Sequence, residues 1–543
     1  MRLAPLLLLL VGALPAAAQT APAPGTCVLG TAQADLNVNN VAARVFNTGS
    51  LFYGNTTTSG NGYLVPQASG RSAVFASGLW VGGRVGGELR VAGGTYGAGA
   101  LDFTFWPGPL GTDGRPVNPS DCSGYDEIFS VTRADITNYE AGNPTGDVLT
   151  WPWELGAPVV DGDGNPDNYN LAGGDRPGII GDQGLWWVMN DVGNVHPAQN
   201  TPPLGIEVRV LAFSFARPDA LGNTTFYKYR IINKSGTDIE DTYVSVFSDP
   251  DLGDAVDDYV GSDVAAGLGY VYNADNSDAV YGVPPAVGYD FFQGPIVPDG
   301  PDAGADPDTL SASAFSYFRN TTGGSSDPDN GVQIYNYQQG LWDDGSVMRA
   351  YGSGYQETQG AITKFAFPGD PVTGQAWSER NPRGTGTTSP NVPTDRRFAL
   401  HTGPFTLSNG AAQDVVFGIV FAQGTSNLNS ITALRAADQL AQATFDNDFN
   451  PPPVAGEEAS GPSVALAVAP NPFTTEARVS VSAAPGSDVH AVLLDVLGRE
   501  VAVIHEGPLS GELRVPGAGL TPGVYLLRVR TADGERTVRL VRR

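Results

Sequence analysis

Apolar runs in this chain are short, and glycine or proline separates most of them. The 543 residues include 70 glycines and 42 prolines, without the period of three that defines collagen. The runs between these breakers, such as 73–76, 78–81 and 88–92, are those of strands. Short apolar runs bounded by turn-forming residues favour strands, because a helix of ordinary length needs a longer periodic stretch. The sequence therefore predicts a mainly β fold of multi-domain β-sandwich type.

The clearest strand pattern lies near the middle of the body. Residues 205–213 and 225–231 alternate apolar and polar side chains, and 242–247 follow a turn. This alternation predicts an antiparallel sheet with one buried face. We also expect strands at 268–272 and 414–421, with a loop-rich insertion across 284–395.

Two glycine pairs suggest hairpin turns near the start of the body. Gly82-Gly83 and Gly86-Gly87 both interrupt apolar runs. Tight hairpin turns need residues with positive φ, which glycine adopts without strain. We therefore expect a turn at each pair.

One helix is predicted near the C-terminal end of the body. Apolar side chains recur there every three or four residues, after the candidate caps Ser426 and Asn429. The apolar positions are Ile431, Leu434, Ala437, Ala441 and Phe445.

The N-terminus has the features of a secretory signal peptide. Arg2 supplies a positive charge, residues 3–14 are an apolar run, and residues 16–18 form an Ala-x-Ala cleavage site. The run is too short for a permanent membrane span. We therefore expect cleavage after Ala18 and a mature chain outside the inner membrane.

The chain divides by composition into five segments. Residues 450–463 are rich in proline and small polar residues, as expected for a stiff linker. The predicted organisation is a signal peptide (1–18), a β-rich and loop-rich N-terminal domain (19–203), a β-sandwich domain with a long insertion (204–449), the linker (450–463) and a C-terminal domain (464–543).

Cys27 and Cys122 are the two cysteines of the sequence. A pair of cysteines outside the cytoplasm is more often bridged than free. We therefore expect a disulfide that closes a loop of about a hundred residues, with two unpaired thiols as the alternative.

The net charge of −27 is unevenly distributed. Residues 464–543 contain nine arginines and eight acidic residues, so nearly all of the negative charge lies before them. A strongly acidic body disfavours nucleic acid or an anionic lipid surface as a partner.

Residues 464–543 contain six or seven short predicted strands, the pattern of a small immunoglobulin-like sandwich. Specific residues mark four places in it. They are Pro470, Asn471, Pro472 and Phe473 after the first strand; Asp495, Gly498 and Arg499 at a tight turn; Pro522, Gly523 and Tyr525 before a late strand; and the basic final strand 537–543.

In this order and spacing, the motifs resemble the C-terminal type A sorting domain of the Bacteroidota type IX (Por) secretion system. Parts of the body, including 181–191 and 249–261, resemble uncharacterised exported proteins of the same group. The resemblance implies passage through the type IX translocon, removal of the domain by a surface sortase and attachment of the body to lipopolysaccharide. We therefore expect an extracellular or outer-membrane surface location. A plain β-sandwich module for adhesion or sugar binding is the alternative.

The segment 161–167 places oxygen-bearing side chains at every second position. Asp161, Asp163, Asn165 and Asp167 could curl around one Ca²⁺, which takes six to eight oxygen ligands. The segment is not an EF-hand, because it departs from that pattern at the sixth and twelfth positions. A solvated Asp/Gly turn is the alternative.

A second acidic cluster follows the strand predicted at 242–247. So many carboxylates so close in sequence repel each other unless a cation or hydrogen bonds compensate. A structural Ca²⁺ is one interpretation, and catalytic carboxylates or a plain acidic loop are the others. The candidate ligands are Asp249, Asp251, Asp254, Asp257 and Asp258.

Five tryptophans are concentrated in the N-terminal part of the body, at 106, 151, 153, 186 and 187. If exposed, they could stack on sugar rings, which makes glycans a candidate partner. Burial in a loop-rich domain is the more common explanation.

Catalytic motifs are missing from the sequence. It contains no Gly-x-Ser-x-Gly, His-Glu-x-x-His or Cys-x-x-Cys motif and no phosphate-binding loop. The leading hypothesis is an exported, non-enzymatic structural or adhesive protein with calcium-stabilised loops. The rival is a secreted carbohydrate-active hydrolase, since a glycosidase needs only two suitably separated carboxylates.

Overall fold

The computed structural model describes the chain from residue 24 to the C-terminus, apart from several internal segments. The described residues are 24–53, 62–96, 103–118, 120, 122–297, 308–320, 323–385, 389–452, 466–481, 488–494, 500–509, 512–521, 523–531 and 534–543. They divide into two units, with the division after Pro451. The first unit is called the body, and the second is called the C-terminal unit.

The body contains two large antiparallel sheets, called sheet 1 and sheet 2. In its described part, sheet 1 has ten strands. In spatial order they are Ala314–Arg319, Arg396–Leu407, Ile239–Asp249, Ala76–Val85, Ser50–Leu51, Ala42–Phe46, Tyr63–Leu64 and Ser72–Val74, with Gln33–Leu36 paired to Ala42–Phe46 and Glu88–Ala92 paired to Ala76–Val85.

Sheet 2 has nine strands among the described residues. In spatial order they are Asp258–Asp263, Leu268–Asn273, Ala286–Gln293, Ala412–Ala422, Thr224–Asn233, Ile206–Ser214, Gln183–Asn190 and Trp106–Pro107, with Phe129–Thr132 paired to Gln183–Asn190. Three two-stranded ribbons also occur in the described part of the body: Val159–Val160 with Arg176–Pro177, Ile296–Val297 with Asp308–Thr309, and Met348–Arg349 with Ile362–Thr363.

The two large sheets pack face to face around one apolar core. Val246 and Leu79 of sheet 1 and Val208 and Tyr227 of sheet 2 are all buried in the same cluster. Polar contacts also cross this core, since the Tyr63 hydroxyl donates to the carbonyl of Ile419 over 3.1 Å. The predicted mainly β sandwich body is therefore confirmed.

Three α-helices occur in the described residues: α1 (Arg133–Glu140), α2 (Gly331–Gln338) and α3 (Asn427–Asp446). The predicted helix is α3, and the Ser426 side chain caps it by accepting from the Asn429 N–H. Ile431 and Leu434 of α3 pack with Phe226 and Tyr270 on the outer face of sheet 2. Of these helices, none is both long and apolar enough to cross a membrane.

The strands do not respect the predicted boundary between 19–203 and 204–449. Ala76–Val85 pairs with Ile239–Asp249 in sheet 1, and Gln183–Asn190 pairs with Ile206–Ser214 in sheet 2. Because both sheets combine strands from both segments, the two predicted domains form one folding unit.

The predicted insertion 284–395 also contributes to both sheets. Ala286–Gln293 lies inside sheet 2, and Ala314–Arg319 forms one edge of sheet 1. Ala286–Gln293 is almost fully buried and shows no alternation, so the period-two pattern that marks a half-exposed strand is absent.

Of the two glycine pairs, only Gly86-Gly87 forms a turn, with φ values of 59° and 83°. Gly82 and Gly83 lie inside the strand Ala76–Val85. A Cβ at Gly82 would lie 2.2 Å from Oε1 of Gln338 in α2. Gly82 therefore permits close packing of α2 on sheet 1, and the expectation of a turn there was wrong.

The C-terminal unit has a three-stranded and a four-stranded antiparallel sheet in its described residues. Side chains such as Phe473, Val479, Leu493 and Leu527 form its own buried core. The strands are Leu466–Ala469, Glu476–Val481 and Leu513–Pro516 in one sheet, and Glu500–Pro508, Asp488–Leu494, Gly523–Thr531 and Gly534–Arg542 in the other.

Candidate functional site

Three aspartates meet where one strand of sheet 1 ends and the neighbouring strand begins. Asp249 is the last residue of Ile239–Asp249, and Asp395 immediately precedes Arg396–Leu407. The antiparallel register, with Ser248 opposite Phe398, brings these two ends together. One carboxylate oxygen each from Asp249, Asp251 and Asp395 lies within 4.8 Å of the others. These three residues are called the aspartate centre.

Arg397 neutralises only one side of the aspartate centre. Its Nε lies 3.4 Å from Oδ2 of Asp249, and its Nη2 lies 3.2 Å from Oδ2 of Asp395. The other oxygens, Oδ1 of Asp249 and Oδ1 of Asp395, are buried without a hydrogen-bond partner. A buried carboxylate oxygen in this position is costly unless a proton or a cation compensates it.

Burial and mutual repulsion both disfavour negative charge at the aspartate centre. Burial, followed by the charge of Asp251, raises the pKa of Asp249 to about 8. Burial, followed by the charge of Asp395, raises the pKa of Asp251 to about 6. A bound cation would relieve the same crowding without a proton.

Two further carboxyl groups lie near the aspartate centre, and burial raises the pKa of both. Asp258 is fully buried; its Oδ2 accepts a hydrogen bond from the N–H of Leu252 over 3.3 Å, and its Oδ1 has no partner. Asp327 Oδ1 lies 3.5 Å from Nε of Arg397. The residues present fit Ca²⁺, a hard cation that prefers carboxylate oxygens and completes its six to eight ligands with water or carbonyl groups.

Two of the candidate ligands from the same acidic cluster lie elsewhere. Asp254 donates its backbone N–H to Oδ2 of Asp278 over 3.0 Å, and the Asp257 carboxylate accepts from Asn273. The short 3₁₀ turn Ala255–Asp257 carries these two side chains away from Asp251. The structure therefore divides the predicted cluster and adds Asp395, which is distant in sequence.

The loop beginning at Asp161 compensates its own charge. Oδ1 of Asp161 accepts from the backbone N–H groups of Asp163, Gly164 and Asn165 over 2.6–3.2 Å. The side-chain amide of Asn170 bonds Oδ2 of Asp163 over 2.8 Å and is the largest cause that lowers the pKa of that carboxyl. This is the arrangement of a hydrogen-bonded Asp/Gly turn.

Asp161 and Asp163 do form a tight acidic group, and Asp175 is its third member. Asp175 is buried, and its two oxygens accept from the N–H groups of Gly162 and Asn170 over 2.9 and 2.6 Å. The other two predicted ligands, Asn165 and Asp167, are outside this group, and the Asn165 side chain accepts from the N–H of Asp167. With its oxygens engaged by N–H donors, this loop has less need of a cation than the aspartate centre.

Cys27 and Cys122 form a disulfide, as the sequence predicts. Both are buried beside Trp106. The bond fastens the first described residues of the chain to the loops of the body.

Most of the tryptophans considered as sugar platforms are buried. Trp106, Trp151, Trp186 and Trp187 are each no more than 5% exposed, and Trp153 is half-buried. They serve the packing of the body rather than an exposed aromatic surface.

Both histidines of the body have structural contacts. His196 bonds the carbonyl groups of Val91 and Asp191. The buried ring of His401 contacts the hydroxyls of Ser245 and Ser316, each over 2.7 Å, and burial lowers its pKa to about 3. At neutral pH His401 is therefore an uncharged part of a buried network.

The motif Pro470–Phe473 is fastened to the end of the chain. The Asn471 side-chain amide donates to the carbonyl of Arg539 over 3.0 Å, and its Oδ1 accepts from the N–H of Val541 over 2.8 Å. Phe473 is buried in the core, whereas Pro470 and Pro472 are exposed.

The late motif places Tyr525 next to the turn that precedes its strand. The Tyr525 hydroxyl donates to the carbonyl of Thr521 over 2.8 Å, and Gly523 begins the strand Gly523–Thr531. Four of the predicted sorting residues lie outside the described residues: Asp495, Gly498, Arg499 and Pro522.

Sequence reasoning missed a pair of carboxyl groups on the outer face of sheet 2. Asp290 lies in the strand Ala286–Gln293 and Asp438 lies in α3, and the two side chains are hydrogen-bonded to each other. Burial is the main cause that raises the pKa of both groups, so the pair retains a shared proton. In the sequence, the helical spacing identifies Asp438 only as a residue next to the apolar face of α3. No sequence signal relates it to Asp290.

Comparisons with known proteins give little functional information. No protein-family model matches the sequence, and the comparison with curated proteins gives no match. Among solved structures, a polysaccharide lyase aligns with 62% of this chain and 34% of its own, at 11% identity and a TM-score of 0.18. The chain thus spans about a third of that protein's length, and a score this low carries no argument about fold or activity.

Proposed function

We propose that this protein is an exported, non-enzymatic structural or adhesive protein of the cell surface or the surrounding medium, stabilised by Ca²⁺ at Asp249, Asp251 and Asp395. The observation that carries the proposal is the set of buried carboxylate oxygens without hydrogen-bond partners at the aspartate centre. Millimolar extracellular Ca²⁺ suffices for sites of modest affinity. The Cys27–Cys122 disulfide supports the same location, because such bonds persist outside the cytoplasm.

The position of the aspartate centre favours a structural role over a catalytic one. It joins the ends of two paired strands, and Arg397 at its inner side is only 8% exposed. A cation there would hold together the ends of two strands that are far apart in sequence. This is the arrangement expected of a stabilising ion rather than of a substrate cleft.

The rival function, a carbohydrate-active hydrolase, has weaker support. Glycosidases hold two carboxyl groups about 5–10 Å apart, with the scissile bond between them. Asp290 and Asp438 are instead in hydrogen-bond contact. The residues lining their pocket include no aromatic ring that could stack on a sugar, so we favour the non-enzymatic function.

For the export route, we propose that residues 464–543 act as a type IX sorting domain. The hydrogen bonds of Asn471 and Phe473 with the final strand support this, because they hold the motif against the basic end of the chain. The partners would be the type IX translocon and a surface sortase, with lipopolysaccharide as the anchor of the released body.

Cell fractionation tests the export route. A strain that produces the protein without residues 464–543 should retain the body in the periplasm, whereas the full-length chain should reach the surface or the medium. A matched control carries Val501→Thr, a change at a half-exposed side chain of the C-terminal unit. Surface delivery of the truncated chain would refute the proposal for the sorting domain and leave the calcium proposal intact.

A further inference from the structure

A pocket of about 630 Å³ opens beside the C-terminal half of α3. Its walls come from α3 and from the hairpin formed by Asp258–Asp263 and Leu268–Asn273. Four of its lining residues are aspartates: Asp263, Asp290, Asp438 and Asp446. The volume falls within the range of small-molecule sites.

The deepest of these aspartates lacks ordinary hydrogen-bond partners. Asp290 is 1% exposed, and neither of its carboxylate oxygens has a partner with ordinary hydrogen-bond geometry. Asp438 is 3% exposed, and its Oδ1 is also unpartnered. Buried polar atoms are normally paired, so this wall of the pocket has unused capacity to accept hydrogen bonds.

The pocket also has an excess of negative charge. Its lining includes no lysine, arginine or histidine. The neighbouring cation, Arg435, compensates one of the four aspartates, since its Nε lies 3.1 Å from Oδ2 of Asp263. Its Nη1 lies 3.0 Å from Oδ1 of Asp370, outside the pocket, so Asp290, Asp438 and Asp446 have no cationic partner in the lining. A ligand that fits this pocket should therefore be positively charged and rich in N–H donors.

Size and ligand spacing favour an organic cation over a bare metal ion. Within the described part of the chain, no third acidic, histidine or cysteine side chain joins Asp290 and Asp438 in a group tight enough to surround one ion. The volume is many times the roughly 30 Å³ that one water occupies. The methyl groups of Ala265, Ala266 and Ala443 also line the pocket and can contact methylene groups.

We propose that this pocket binds an aliphatic polyamine. One ammonium group replaces the shared proton and donates to the carboxylates of Asp290 and Asp438, since an ammonium carries three N–H donors. Asp446 lies two helical turns further along α3, about 12 Å at 1.5 Å per residue, and accepts from a second ammonium group. The methylene chain between them lies against the alanines.

Isothermal titration calorimetry of the mature protein with spermidine tests this proposal, in buffer containing Ca²⁺ so that the aspartate centre is saturated. We expect Asp290→Asn and Asp438→Asn to weaken binding at least tenfold, and Asp446→Asn to weaken it several-fold. Asp167→Asn, an exposed aspartate in another loop, should bind spermidine as the wild type does. The neutral analogue 1,8-octanediol should not bind.

A second pair of variants tests the proposal even if replacement of Asp290 or Asp438 prevents folding. Ala443→Lys places a cation at the mouth of the pocket, whereas Ala436→Lys places one on the exposed face of α3. The first should abolish spermidine binding and the second should not. Equal binding by both lysine variants, or binding of Ca²⁺ but not spermidine at Asp290 and Asp438, would overturn the proposal.

Discussion

Asp249 and Arg397 lie side by side at the ends of paired strands, with 3.4 Å between Oδ2 and Nε, and the second oxygen of Asp249 is left without a partner. The arginine therefore compensates only part of the negative charge at this position. Asp251 and Asp395 each bring a carboxylate oxygen within 4.8 Å of one from Asp249. The predicted cation would compensate the rest.

Calcium removal should destabilise the protein through this centre. Saturation at a hundred times Kd adds about 2.7 kcal/mol to the free energy of unfolding, so EDTA should lower the Tm by several degrees. Asp249→Asn and Asp395→Asn should abolish the response to EDTA. In EDTA the stability of Asp249→Asn should be close to that of the wild type, because burial raises the pKa of Asp249 to about 8 and already favours its neutral form when no cation is bound.

Asp167→Asn is the matched control for this measurement and should retain the full response to EDTA. Differential scanning calorimetry with and without Ca²⁺ measures the wild type, these three variants and Asp161→Asn. If the response disappears in Asp161→Asn and persists in Asp249→Asn, the ion binds at the Asp161 loop and the assignment to the aspartate centre is wrong.

Loss of the disulfide should also destabilise the body. A bond between residues 95 apart in sequence restricts the unfolded chain, and its removal typically costs about 2–5 kcal/mol. The double variant Cys27→Ser, Cys122→Ser should unfold at lower urea concentration than the wild type. Dithiothreitol should shift the wild type to the same midpoint and leave the variant unchanged; a shift of the variant would show another cause.

The buried His401 should make the body sensitive to acid. Its pKa is lowered to about 3 by burial, whereas the unfolded chain titrates near the ordinary value of 6.5. Between these values the unfolded state binds a proton at this histidine that the folded state does not, so the contribution of His401 to stability falls as the pH falls from about 6.5 towards 3. One proton contributes a slope of up to about 1.4 kcal/mol per pH unit.

His401→Gln should reduce this slope, measured as the free energy of unfolding in urea at pH 7, 6, 5 and 4. His490→Gln is the control, because His490 is exposed in the C-terminal unit and should leave the slope unchanged. Identical slopes in wild type and His401→Gln would contradict the assignment.

Gly82 should resist substitution although it forms no turn. A Cβ there would lie 2.2 Å from Oε1 of Gln338 and 2.8 Å from a ring carbon of Tyr335. Gly82→Ala should therefore lower the free energy of unfolding by about 1–3 kcal/mol, the usual cost of overpacking. Gly124→Ala meets no atom within 4 Å and should be nearly neutral in the same urea titration.

Local patterns in the sequence were sufficient for several elements. The three- and four-residue spacing from Ile431 to Ala441 predicts α3 correctly, and the alternation in 205–213 predicts the strand Ile206–Ser214. These signals work because one face of each element is buried and the other is not. Ala286–Gln293 is buried on both faces, so it has no such pattern.

The candidate sites depend on contacts that no local pattern contains. Asp249 and Asp251 are recognisable as part of an acidic run, but Asp395 joins them only through the strand register. Asp438 likewise meets Asp290 only because α3 packs on sheet 2. Strand register and packing partners depend on the whole fold, so they cannot be read from the composition or from the spacing of residues.

The place of the strand Ala412–Ala422 in sheet 2 sets the order in which the body can be completed. This strand lies between Ala286–Gln293 and Thr224–Asn233, yet it is the last strand of the body along the chain. As the polypeptide is synthesised, the two halves of sheet 2 lack the strand that hydrogen-bonds to both of them until residue 422 has appeared. Completion of sheet 2 therefore waits for this strand, and chains that end before it lack the centre of the sheet.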